Sequence, residues 1–130
     1  MAKDFKPNVG KKTSKNSADK WIKNFDDHFR KDKKVDTKSI FFGRDALLKM
    51  LAEDGSSGVT FFLTYQPNPN FDNKETIQLV MVPTKEDGTL IWTSPDANAA
   101  TAADASTSAK ALTKDMSYDD GALCPPYCPK

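Results

Sequence analysis

The chain has 130 residues, the length of one domain, with 38% hydrophobic residues and a formal net charge of +1. That hydrophobic share lies below the roughly 45–50% usual for globular chains, so part of the chain is expected outside the core. No stretch approaches the roughly 20 apolar residues that cross a bilayer, and no apolar run follows the charged start MAKDFKPNVGKKTSKN to make a secretory signal. The expected location is therefore the cytoplasm, with export by a route lacking a cleaved signal left open.

The small net charge hides an asymmetry. Residues 1–38 hold twelve Lys/Arg against six Asp/Glu, and the remainder is acidic by nearly as much. Opposed halves can hold an arm against its own domain or align neighbouring copies. Residues 1–16 carry Pro7, Gly10 and Lys3, Lys6, Lys11, Lys12 and Lys15 with few apolar residues, the composition of a basic flexible arm that a partner could order.

A helix is predicted next, because Ala18, Trp21, Ile22, Phe25 and Phe29 recur at helical spacing and form one stripe. Ser17 is the expected N-cap, and Arg30, Lys31, Lys33 and Lys34 suit the negative end of the helix dipole. Residues 39–42 (SIFF) read as a short buried strand ending at Gly43, expected to join a sheet edge. Residues 44–53 (RDALLKMLAE) are strong helix formers, with Leu47, Leu48 and Leu51 on one side, Met50 beside them and Gly55 placed to stop the helix.

After the turn at 55–58, residues 59–65 (VTFFLTY) make a strand rich in β-branched and aromatic residues. The segment QPNPNFDN is expected to be a loop whose prolines exclude a ladder. Residues 75–83 form the next strand, with Ile77, Leu79 and Met81 on one face and Val80 and Val82 on the other. Asp87-Gly88 signals a primed tight turn, and residues 89–93 form the returning strand. Residues 96–111 read as an Ala/Ser/Thr-rich linker, and the closing GALCPPYCPK, interrupted by three prolines, as irregular.

The prediction is thus an α+β fold over residues 17–95. Two helices pack on a small, mainly antiparallel sheet, in the order helix, strand, helix and three-stranded meander. A flexible arm (1–16) precedes this domain and a linker with a Cys-Pro tail (96–130) follows it.

Few residues could carry chemistry. His28 is the only histidine, and its neighbours Asp26 and Asp27 point away from it on a helix. Cys124 and Cys128 are the only cysteines. They are half of a tetrahedral zinc set, and the spacing leaves open a disulfide, a tail docked through Tyr127 and the prolines, a metal shared between subunits, or an inert terminus. Glu53-Asp54 and Asp119-Asp120 fall at a helix end and in the tail, where solvated charge is the simpler reading. The Gly55–Gly58 turn lacks the lysine of a phosphate loop. No enzyme class survives, and no cofactor or metal is expected.

The segments TKSIFFGRDALLKMLAEDGSSGVTFFLTY, TIQLVMVPTKEDGTLI and CPPYC look like a family of small uncharacterised bacterial proteins of the Bacteroidetes. The resemblance covers roughly residues 21–128 and lies in the order of features: leading helix, Ser-aromatic strand, helix with a Gly-x-x-Gly turn, hairpin, and terminal Cys-Pro-Pro-x-Cys. Members often carry Cys inside the Gly-x-x-Gly turn, where this chain has Ser56 and Ser57. The resemblance implies an architecture and transfers no activity.

A patterned middle of about 55 residues is marginal as an independent domain, and its two-sided apolar strands leave edges to cover. The expected function is non-enzymatic binding or assembly, with the chain itself or another protein as partner and no membrane. Nucleic-acid binding through the lysine arm is the alternative, and an enzyme of unrecognised type the third reading.

Overall fold

A computed structural model describes residues 4–95 and 113–130. Its elements are α1 (Lys15–Phe29), β1 (Ser39–Phe41), α2 (Arg44–Leu51), β2 (Ser56–Asn68), a 3-10 turn (Pro69–Phe71), β3 (Lys74–Lys85), β4 (Thr93–Pro95), β5 (Thr113–Asp115) and β6 (Ala122–Cys124). The α+β class holds, with three antiparallel strand pairs, β1–β6, β2–β3 and β4–β5. The predicted linker at 96–111 lies outside the described residues.

Helix α1 begins one turn earlier than its apolar stripe suggests, because Ser14 rather than Ser17 is the cap. Ser14 Oγ accepts the Ser17 backbone N–H at 3.1 Å. At the other end Arg30 is buried, although the sequence marks it only as a helix-end cation. Its guanidinium donates to the Asp26 carboxylate and to the carbonyls of Asp36 (2.7 Å) and Lys33 (2.9 Å). These bonds fold residues 30–38 back towards β1. Helix α2 packs on β2 and β3 and buries Met50 completely while Leu48 and Leu51 face out, the reverse of the expected order. The helix ends at Leu51 with Ala52 as its cap, so Gly55, at φ +83°, a conformation that favours glycine, sits in the following turn and is not the residue that stops the helix.

The ladder between β2 and β3 runs the whole length of both strands, through Pro67 and Asn68 where a loop is predicted. Met81 exchanges both backbone hydrogen bonds with Tyr118, on the side away from β2. In an antiparallel ladder, opposed residues either face each other or both face away. Phe61 lies opposite Met81, so its backbone faces away as well, and by alternation so do those of Val59, Leu63, Tyr65 and Pro67. Pro67 thus occupies a site where the ladder needs no N–H donor. The hairpin closes through Asn68, which is fully buried; its Oδ1 accepts the Asn70 N–H and its carbonyl the Asn73 N–H, both at 3.0 Å.

The predicted third strand of the meander breaks up. Residues 85–89 form a turn with one left-handed residue, Gly88 at φ +90°, instead of the two of a primed turn. Leu90 bridges Thr84 and the Ile91 N–H reaches the Pro83 carbonyl at 2.8 Å. Pro83 has no N–H to return, and the next outward residue, Met81, gives its groups to Tyr118. The chain then leaves, and β4 pairs with β5 instead.

The tail is not wholly irregular. Its strand β6 pairs with β1 in the register Ser39↔Cys124, Ile40↔Leu123 and Phe41↔Ala122, so β1 joins the tail rather than the central sheet. Gly121 makes the approach: a Cβ there would lie 2.5 Å from Ile40 Cγ2 and 2.7 Å from the Phe42 ring. Among the described residues the buried apolar side chains are Met50, Met81, Val82, Pro83, Ile91, Met116, Leu123 and Cys124. Three of these follow residue 112, so the packing has no boundary at residue 95. None comes from α1, which corrects the expectation that Trp21, Phe25 and Phe29 build the core. In β3, Ile77 is also exposed and only Met81 of its predicted row is fully buried.

Candidate interaction surface

An amphipathic helix normally buries its stripe against its own domain, yet every large apolar residue of α1 is exposed, Trp21 at 59% and Phe29 at 71%. Phe25 and Phe29 stack on each other with ring centroids 5.6 Å apart. With Tyr65, Ile77, Thr37 and Arg30 they line a cleft of about 190 Å³, and the Lys74–Asp32 ion pair (3.5 Å) ties this corner together. From Tyr65 the apolar surface continues along β2 to Leu63, 80% exposed, and Phe61. On the other face of β2, Phe62 stacks on Trp92 at 6.1 Å.

The polar face of α1 is largely self-paired. Lys15 bonds Asp19 at 2.6 Å and Lys23 bonds Asp27 at 2.5 Å, one helical turn apart in each case. The Lys23 hydrogen bond holds the Asp27 carboxyl below the usual carboxylate range, and Asp27 in turn raises the Lys23 ammonium. Asp26 is also lowered, first by its hydrogen bond to Arg30 and then by Lys33.

The arm does not stand free. Ser57 Oγ donates to the Phe5 carbonyl, and the Phe5 ring sits so close to Gly88 that a Cβ there would lie 2.8 Å from it. Phe5, Pro7 and Val9 line a half-open pocket of about 250 Å³ with Val59, Thr60 and Thr84. Lys6 pairs with Asp4 (3.5 Å), Lys15 belongs to α1, and Lys11 and Lys12 stand exposed between them. Lys3 lies outside the described residues. Among the described arm lysines, Lys6 and Lys11 line one shallow cleft together with Asp4.

His28 is exposed, its Nδ1 2.7 Å from the Asn24 carbonyl of its own helix. Cys124 and Cys128 are joined as a disulfide with Cα atoms 4.6 Å apart. Cys124 is buried, whereas Tyr127 is exposed beside Phe41 and Pro129 and does not anchor the tail. Among the described residues no cluster of His, Cys, Asp or Glu is arranged to hold a metal, and no helix is long and apolar enough to cross a membrane.

The residues that matter most here, Phe61, Leu63 and Tyr65, carry no site signal in the sequence beyond the absence of charge from VTFFLTY. Comparison of the chain with protein-family models, curated proteins and solved structures finds no match in any of the three.

Proposed function

We propose that this chain is a non-enzymatic assembly protein that works by self-association. The observation that carries the reading is the uncovered apolar surface of α1 and β2. Taking about 200 Å² for a large side chain fully exposed, Trp21, Phe29, Phe61, Leu63 and Tyr65 present on the order of 650 Å² between them. The largest apolar patch on an ordinary monomer is about 300–600 Å². Binding is favoured over chemistry because the one histidine is tied to its own helix and the two cysteines are bonded to each other. Nucleic-acid binding through the arm has less support, since Lys6 and Lys15 are paired with aspartates. A cystine persists mainly in oxidising compartments, which favours export over the cytoplasm.

Light scattering across a dilution series tests the proposal. The expected mass exceeds the 14.4 kDa of one chain at high concentration, falls on dilution, and does not change with reductant. A mass of one chain at every concentration would overturn it.

A further inference from the structure

Resting on the self-association reading, we propose that two copies join edge to edge through β2. The strands run antiparallel across a two-fold axis at Phe62, making one continuous four-stranded sheet. Outward N–H and C=O groups belong to Val59, Phe61, Leu63 and Tyr65, by the alternation that Met81 and Tyr118 fix. Among the described residues no backbone partner reaches these groups. Residues 59–65 carry no charge and no proline, whereas proteins usually guard a free edge with one or the other.

The ends of the strand select the register. With the axis at Phe62, Val59 lies opposite the partner's Tyr65 and Phe61 opposite the partner's Leu63. Every outward group of the four residues is then used. Sliding by one repeat in one direction sets Val59 against the partner's Pro67, which has no N–H. The other direction sets Tyr65 against the partner's Ser57, where a β-bulge between Ser56 and Gly58 breaks the strand. Side chains agree with this register. Phe62 meets its own copy at the axis, beside the Trp92 rings, and Thr60 pairs with the partner's Thr64, a favourable cross-strand match.

At their observed exposures Phe61, Phe62, Leu63 and Tyr65 offer about 450 Å² of side chain per copy. Side chains stand roughly perpendicular to a sheet, so edge pairing covers only part of this area and the pair stays below roughly 1,200 Å², the lower bound of stable interfaces. A dimer that dissociates on dilution is therefore expected.

Hydrogen exchange on the unmodified protein, above and below the concentration at which its mass doubles, reads the interface directly. The amides of Phe61, Leu63 and Tyr65 should exchange freely when dilute and that of Val59, half-buried beside the arm, less so; all four should exchange at least tenfold more slowly when concentrated. Those of Thr60, Phe62 and Thr64, bonded to β3, should be protected in both. Leu63→Lys, at a position exposed enough to leave the fold intact, should weaken dimerisation at least tenfold. Under mild oxidation Phe62→Cys should cross-link to its own copy and Leu63→Cys should not. A protein that self-associates while the four amides stay unprotected would sink the edge pairing and leave the assembly reading standing. A monomer at all concentrations would remove both. Cross-linking of Leu63→Cys in preference to Phe62→Cys would overturn the register.

Discussion

Met81 and Leu63 share one face of the β2–β3 ribbon, yet truncating them should have very different effects. Met81 is fully buried and lies opposite Phe61, while Leu63, opposite Leu79, is 80% exposed. Met81→Ala removes three heavy atoms from a closed site, and buried Met-to-Ala changes cost about 2–5 kcal/mol; about 3 kcal/mol is expected. Leu63 hides only a fifth of its surface, and full burial of a leucine is worth about 1.5–3 kcal/mol, so Leu63→Ala should cost about 0.4 kcal/mol. With a urea slope of about 1.5 kcal/mol/M, the midpoint should fall by about 2 M for Met81→Ala and about 0.3 M for Leu63→Ala. Tryptophan fluorescence and far-UV circular dichroism would follow unfolding at a concentration low enough to keep the protein monomeric. Equal shifts, or a larger one for Leu63→Ala, would refute the burial of Met81 on β3 and the exposure of Leu63 on β2.

Further expectations concern charge, the cystine and the tail. The Asp26 carboxyl is lowered in the folded state by Arg30 and Lys33, so its contribution is present above the unfolded value of about 3.9 and is lost as pH falls through the lower folded value. Asp26→Asn should flatten the acid limb of a melting-temperature profile below about pH 4, and an unchanged limb would count against the Arg30 cluster. Replacing both Cys124 and Cys128 by Ser removes a five-residue loop constraint worth about 2 kcal/mol in the chain-entropy account. The first amide to lose exchange protection should be that of Lys38, which donates to the Cys124 carbonyl at 2.7 Å. Gly121→Ala would crowd Ile40 and Phe42 and should cost about 1–3 kcal/mol in thermal unfolding. A neutral result would mean that β1 and β6 are not so closely apposed.

Local chemistry made much of this fold legible and non-local pairing hid the rest. Both helices, the two long strands and the left-handed glycines at 55 and 88 follow from spacing and turn residues. Periodicity along α1 says that Trp21, Phe25 and Phe29 share a face; it does not say what covers that face, and within the described chain it is left open. Proline at 67 argues against a ladder only where a donor is needed, and the alternation that spares it depends on Tyr118, about forty residues away from the Met81 it bridges. The β1–β6 pair joins segments more than eighty residues apart, beyond any local signal. For the candidate surface, the uncharged run 59–65 marks a strand. Which of its backbone groups remain free depends on the same distant bridge.

The pairing of β4 with β5 has a practical consequence. Thr113 stands opposite Pro95, so the Ala/Ser/Thr-rich stretch between them departs from and returns to one point on the surface. Such a stretch is a natural place for insertion, because whatever replaces it need only start and finish side by side. Cutting its seventeen residues to four should gain about 1.3 kcal/mol in loop-closure entropy, and a fluorescent or peptide cargo grafted there should leave the melting temperature nearly unchanged. A collapse of stability on either change would show that the stretch itself supports the domain.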